Sequence, residues 1–279
     1  MTLDPYYVAA RRVLLDALED LVEHREAIVV VGAQAVYLRT GAANVGVAEY
    51  TTDADLAVAS DLLADSPLLE DVMSARFEHA RRGPTAADAP GVWTQSVEVN
   101  GKRIEIPVDL IVPEGIAPPG GSRGARLGPH GKRAARKAPG LEAAVIDNDV
   151  LTIEALDGQD RRSIPSRVAG PTALLIAKAH KISDRLARAD RPDRLIDKDA
   201  SDVYRLMLTT APERICEVVP TLLADPRVAE PAQRGLELLR AQFGARRAPG
   251  MEMAVRALRL GVPEDRIRTV CVTFVAGLA

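Results

Sequence analysis

Three aspartates carry the chemistry that this sequence suggests. Asp53 and Asp55 stand two residues apart in residues 51–58 (TTDADLAV), a run with the character of a strand. Period-two alternation puts both side chains on one face and Ala54, Leu56 and Val58 on the other. Two carboxylates placed that way repel unless positive charge lies between them. Mg²⁺ (or Mn²⁺) is an economical answer, because it takes a few carboxylate oxygens and leaves positions for phosphate. Asp109 is the third acid, in the apolar run IEIPVDLIV of residues 104–112. An acid in so apolar a strand is costly to bury unpaired. If this strand pairs beside residues 51–58, Asp109 completes a three-carboxylate cluster. Asp53 and Asp55 would hold metal on a nucleotide, and Asp109 would share metal and take the proton from an attacking hydroxyl.

A turn and a set of cations accompany these acids. Residues 27–31 form a short apolar strand ended by Gly32-Ala33, and a helical pattern follows. That geometry turns backbone N–H groups and a helix N-terminus toward a phosphate. It is neither a Walker A loop nor a G-x-G-x-x-G fingerprint. Further on, a helix over 171–189 carries an apolar stripe of Leu175, Ala179, Ile182 and Leu186. Lys178, Lys181 and Arg185 fall on a neighbouring stripe, roughly 100° round. Lys181 and Arg185 are like charges four apart, unfavourable by a few tenths of a kcal/mol in an isolated helix. A bound triphosphate would reverse that sign. Residues 197–205 read DKDASDVYR. There Asp197 suits a helix N-cap and Asp199 the first turn. Projection places Lys198, Asp202 and Arg205 opposite Ala200, Val203 and Met207, the pattern of a solvated face.

The elements that must position these residues follow from periodicity. Residues 5–23 read as an amphipathic helix, with Val8, Val13, Leu14, Leu18 and Leu21 near helical spacing. A helix is expected at 33–39 and another at 66–80. Strands at 92–99 and 102–112 are joined by Asn100-Gly101, a strong hairpin signal. Residues 113–140 are rich in Pro and Gly without periodicity, which suits a functional or a disordered loop. Short strands are expected near 142–147, 150–156 and 162–168. Helices follow at 171–189, 198–209, 212–224, 232–243, 248–260 and 263–276. The fold class is therefore α+β: an N-terminal domain (1–168) built on a mixed β-sheet with flanking helices, then an all-helical C-terminal domain (169–279). His180 projects away from the apolar stripe and is expected to be exposed, and Trp93 to pack on the core.

Composition narrows the classes. The chain has 279 residues and a formal net charge of -3, with 47% hydrophobic and 27% charged residues, the balance of a globular protein. No apolar run approaches the roughly 20 residues of a membrane span. The two cysteines, Cys216 and Cys271, exclude a disulfide framework or a cysteine-rich zinc module. Residues 1–5 (MTLDP) lack a basic start or an apolar core, so a cytoplasmic location is expected. The net charge is an average over uneven parts. Residues 115–140 hold six basic side chains and no acid: Arg123, Arg126, Lys132, Arg133, Arg136 and Lys137. Residues 161–205 hold eleven basic and six acidic side chains. Such segments suit a phosphate backbone.

Taken together, VVVGAQAVYL, TTDADLAV and IPVDLIV resemble the nucleotidyltransferase superfamily. Its pattern is a strand ending in Gly-Ser or Gly-Gly, then Asp-x-Asp, then a third acid on a later strand. Within it the chain most resembles the AbiEii/MenT-type branch, found as toxins of toxin–antitoxin pairs, over roughly residues 27–209. The resemblance implies a nucleotidyltransferase fold, Mg²⁺ or Mn²⁺ as cofactor, and transfer of an NMP from an NTP. It implies RNA, specifically a tRNA 3′ end, as acceptor, and a cognate antitoxin as possible protein partner. It gives Lys178, with Lys181 and Arg185, the nucleotide phosphates, and gives Asp199 or Asp202 the task of holding that lysine or the nucleotide. It implies a helical domain that completes the active site. Two departures stand out. Ala33 occupies a position where the family usually has Ser or Gly, and the interval from Gly32 to Asp53 is long; Thr51 and Thr52 are the candidates to supply the missing hydroxyl. Three alternatives stay open: adenylylation of a small hydroxylated molecule, as in the aminoglycoside-modifying branch; transfer to a protein; and an inactive scaffold that only binds RNA or a partner.

Overall fold

The computed structural model describes residues 3–41, 48–81, 88–120, 123–187 and 197–278. The chain is a mixed α/β protein that divides into two compact units. The first comprises Met1–Ala35, Glu49–Ala138 and Asn148–Ala169; the second comprises Val36–Ala48, Pro139–Asp147 and Gly170–Ala279. Residues 36–48 and 139–147 group with the helical unit.

The first unit is built on one sheet. Its strands are β1 (Ile28–Val31), β2 (Ala54–Val58), β3 (Glu78–Arg81), β4 (Asp88–Val99), β5 (Lys102–Pro113), β6 (Arg136–Ala138), β7 (Asn148–Glu154) and β8 (Ser163–Ala169). The order is β3-β4-β5-β2-β1-β8-β7, with β6 paired to β5. β1 and β2 lie at the centre, so their apolar side chains are buried, from Ile28 to Val31 and from Leu56 to Val58. β2 runs parallel to β5 and antiparallel to β1. Helix α1 (Pro5–Asp20) is capped by Asp4, whose side chain accepts the Tyr6 N–H, and buries Val13, Leu14 and Leu18. Helix α2 (Gly32–Thr40) starts at Gly32 itself. The expected β4–β5 hairpin forms around Asn100-Gly101, both in positive-φ conformations.

Three local expectations change. The helix expected over 66–80 is a short α3 (Leu69–Ser74) followed by strand β3. The β4 edge recruits that segment, pairing His79 with Trp93 and stacking their rings 3.8 Å apart. Residues 142–145 form a 3₁₀ turn rather than a strand. The irregular stretch 113–140 contains β6 and two 3₁₀ turns and buries Ala125, Leu127, His130, Ala134 and Ala135; its residues 121–122 lie outside the described residues. Trp93, fully buried as expected, donates its indole N–H to the Ala134 carbonyl.

The second unit is helical: α4 (Pro171–Leu186), α5 (Lys198–Thr209), α6 (Pro212–Ala224), α7 (Ala229–Phe243), α8 (Pro249–Leu258) and α9 (Glu264–Ala276). Its core takes Leu175, Ile176 and Ile182 from α4, Val203 and Leu206 from α5, and Phe243, Met251 and Ile267 from later helices. Residues 188–189 of the helix expected to 189, with Arg188, Arg191 and Arg194, lie outside the described residues. His180 is half-buried, not exposed, with its Nε2 2.9 Å from the Pro231 carbonyl. No helix of the described residues is long and apolar enough to cross a membrane.

One edge of β5 serves two partners in turn. β4 pairs with it as far as Asp109, opposite Val92, and β6 takes over from Ile111. Gly91 sits at that handover with φ +68°, and an added Cβ would lie 2.2 Å from the Arg136 nitrogen. Gly91→Ala should therefore lose stability in urea denaturation. The left-handed backbone alone costs about 1–2 kcal/mol, and the collision adds to it. An unchanged midpoint would contradict this packing.

Candidate functional site

The acids of the first unit are set by strand register. Asp55 pairs with Asp109 across the parallel β2–β5 pair, and with Val31 across the antiparallel β1–β2 pair. Register partners on neighbouring strands project to the same face. Asp55 and Asp109 thus stand side by side as the sequence anticipates. Asp53 lies just before the first residue of β2, half-buried like the other two.

Gly32 adjoins this pair because Val31 does. Its φ is +70°, and a Cβ there would lie 2.0 Å from Asp55 Oδ2. Only glycine allows both this backbone and this approach. The Gly32 turn therefore lies directly against the Asp55 carboxylate. Ala33 is buried and offers no hydroxyl. The hydroxyl at hand is that of Thr51, which donates to Asp53 Oδ1 at 2.5 Å. Thr52, the alternative, is half-buried on the same turn.

A buried network fixes that turn from behind. Gln34 donates to the Asp53 carbonyl at 3.1 Å and to the Ala10 carbonyl at 3.0 Å. Its own oxygen accepts from Arg11 Nε at 2.9 Å, and Arg11 also donates to the Tyr7 hydroxyl and the Glu154 carbonyl. The sequence held one signal of this: Gln34 is the polar residue in the apolar run 27–38.

Arg136 is the residue that spacing alone does not reveal. It reaches Asp109 Oδ2 through Nη2 at 2.5 Å and Nε at 3.2 Å. A carboxylate set of this kind suits a hard cation such as Mg²⁺. Two observations bear on the fit. Asp53 and Asp55 are close in sequence and Asp109 is in register with Asp55, as a shared ion requires. Yet among the described residues no three His, Cys, Asp or Glu side chains converge closely enough to hold a metal ion. One oxygen of the third acid is turned to Arg136.

In the second unit the expected basic face becomes a buried charge cluster. Lys178 Nζ lies 2.8 Å from Asp199 Oδ1 and 2.6 Å from Asp202 Oδ2, with all three side chains at most 5% exposed. Arg185 joins Asp199 at 2.6 Å, and Lys181 stands off at 3.7 Å with its side chain half in solvent. Lys178 is thus committed to two carboxylates rather than presented to a phosphate. The α5 face projected as solvated is also corrected: Asp202 and Arg205 are buried, with the Arg205 guanidinium over the Tyr37 ring. Asp197 precedes α5 but caps nothing; it pairs with Arg256 at 2.8 Å. Burial opposes the charge on Lys178, but Asp199 and Asp202 more than reverse it and hold the ammonium above the ordinary lysine value. Burial likewise opposes the Asp199 charge, and Lys178, Lys181 and Arg185 hold its carboxyl well below the ordinary range.

No protein-family model matches the chain, and no curated protein matches it. Two solved structures are similar in outline. One is an antigenic nucleotidyltransferase-like protein of Paracoccidioides brasiliensis: TM-score 0.44, 13% identity, covering 89% of this chain and 93% of that one. The other, of H. pylori and provisionally assigned as a nucleotidyltransferase, has TM-score 0.33 and 12% identity, covering 91% of this chain and 97% of that one.

The cluster makes a sharp stability prediction. Lys178→Met takes from buried Asp202 its ion-pair partner at 2.6 Å and leaves Asp199 to Arg185 and Lys181, and should cost about 3–5 kcal/mol by chemical denaturation. The sign with pH follows. Asp199's folded value is depressed, so its contribution is full above the ordinary 3.8 and lost only in stronger acid. Lys178's is raised, so its contribution is full below 10.5 and lost as the pH rises further. Between those limits the cost of Lys178→Met should be nearly constant; a cost that vanishes near neutrality would contradict the cluster.

Proposed function

We propose that this protein is a metal-dependent nucleotidyltransferase that moves an NMP from an NTP to an acceptor hydroxyl. The observation that carries the reading is the Asp55–Asp109 register pair with the Gly32 turn against Asp55. Asp53 and Asp55 would hold Mg²⁺ or Mn²⁺, which supplies charge neutralisation on the triphosphate. The N–H groups at the start of α2 face phosphate, favoured there by the helix dipole. Asp109 accepts the proton as the acceptor oxygen bonds to the α-phosphorus and the bond to pyrophosphate breaks. Thr51 and Gln34 hold the Asp53 turn in place. The work is positioning and charge stabilisation, not covalent catalysis.

The acceptor we propose is RNA, specifically a tRNA 3′ end, and with it the role of a toxin in a toxin–antitoxin pair within the cytoplasm. What supports RNA is the basic stretch. Arg123, Arg126, Lys132 and Arg133 are exposed, on a backbone pinned by the buried alanines and by Trp93. The second reading, an inactive scaffold that binds RNA or a partner, is favoured by one observation, Arg136 seated on Asp109.

Two experiments separate these readings. Protein and an Asp53→Asn variant are incubated with labelled NTPs, Mg²⁺ and total tRNA, and in parallel with aminoglycosides and with protein acceptors. Label on tRNA with the intact protein alone is the expected result. Equal labelling by both proteins removes the metal assignment, and none on any acceptor favours the scaffold. Secondly, tRNA binding should weaken steeply with salt, and Arg126→Ala and Lys132→Ala should each reduce the log–log slope by about one. A flat salt dependence would remove the basic stretch from the account.

A further inference from the structure

The like charges of Asp55 and Asp109 must be offset even when no cation is present. Like charges directly opposite one another on neighbouring strands are destabilising. Arg136 brings positive charge to Asp109, and it is built in rather than incidental. Its side chain is 31% exposed and that of Asp109 only 20%. Arg136 belongs to β6, held parallel to β5 at Ile111 and bridged antiparallel to Gly124. The segment is fastened on either side, by Ala125 N–H to the Ala135 carbonyl and Lys137 N–H to the Arg123 carbonyl. Two positions there exclude a side chain. A Cβ on Gly91 would strike the Arg136 nitrogen, and one on Gly124 would lie 2.0 Å from the Lys132 carbonyl oxygen. The backbone is thus shaped to deliver this guanidinium to this carboxylate.

Both Arg136 nitrogens converge on a single oxygen, Asp109 Oδ2. A cation shared by Asp109 would compete for that carboxylate. We propose that Arg136 is a resident counter-ion which occupies Asp109 until a divalent cation displaces it, so that cation affinity is set by this competition. The inference rests on the assignment of Asp53, Asp55 and Asp109 to the cation. It accounts for the lack of a ready three-acid cluster among the described residues. A state that must first release Arg136 binds more weakly by the fraction of time it is released. A nucleoside triphosphate is an alternative partner for the guanidinium, since arginine binds phosphate through paired N–H donors. NTP and cation should therefore each favour binding of the other, with Arg136 as the link.

The test is Mn²⁺ binding to the full-length protein, read from the EPR signal of free Mn²⁺, without turnover. Arg136→Gln should bind Mn²⁺ about tenfold more tightly, the scale of one charge-assisted hydrogen bond. It should also melt at lower temperature without metal and recover more of that loss when Mn²⁺ is added. Arg136→Lys keeps the charge but not the two-nitrogen grip, and should fall between wild type and Arg136→Gln; it carries the test if the glutamine variant does not fold. A non-hydrolysable NTP analogue should tighten Mn²⁺ binding in the wild type more than in either variant. Mn²⁺ binding by the wild type with equal or weaker binding by both variants overturns the proposal alone. No Mn²⁺ binding by any of the proteins, with or without the analogue, overturns the cation assignment itself and this inference with it.

Discussion

Two carboxylates side by side on adjacent strands are the constraint on which the rest of the first unit depends. Asp55 and Asp109 are brought together by backbone pairing, not by choice of side chain, and the sheet cannot relieve their repulsion by moving one strand. β1 and β2 are buried through their apolar residues, and slipping the register by one residue would turn those residues out of the core. The charge must therefore be met where it stands. In this structure Arg136 meets it on one side, and the Gly32 turn with the start of α2 approaches on the other.

The surrounding architecture reads as the means of holding that arrangement. Gly32 permits the approach of the Asp55 carboxylate, and Gly91 permits β6 to follow β4 along the same edge of β5. Gln34 and Arg11 tie the Asp53 turn to α1 by buried hydrogen bonds. Such networks are costly when half satisfied, so each member holds the others in place. The second unit solves a similar problem differently. Lys178 and Asp199 are buried as ions because each has partners enough to outweigh desolvation. Lys181 stands at the edge of that cluster, 3.7 Å from Asp199, with its side chain half in solvent.

Much of this was legible in the sequence where the signal is local or periodic. The strand ending at Gly32, the β4–β5 hairpin and the helices after Pro171 follow from short-range pattern. The pairing of residues 54–57 with the strand of Asp109 stood in the sequence as a condition, and the register supplies it. What was not legible depends on partners distant in sequence. Arg136 sits 27 residues beyond Asp109 in a stretch without periodicity, so charge counting filed it with the surface cations. The α5 face projected as solvated, and the α4 cations as open to a phosphate, because a helical wheel sees one helix at a time. Packed together, their Lys178 and Asp202 bury each other. The helix expected at 66–80 gave way to β3 because the β4 edge offered pairing that local propensity could not anticipate.

The central question is whether the three aspartates gather a nucleotide through a divalent cation. The direct measurement is calorimetric titration of the full-length protein with a non-hydrolysable NTP analogue, with Mg²⁺ and with EDTA, alongside Asp55→Asn. Binding should require Mg²⁺ and be lost in the variant. Binding that persists in EDTA and survives Asp55→Asn would contradict the cation assignment.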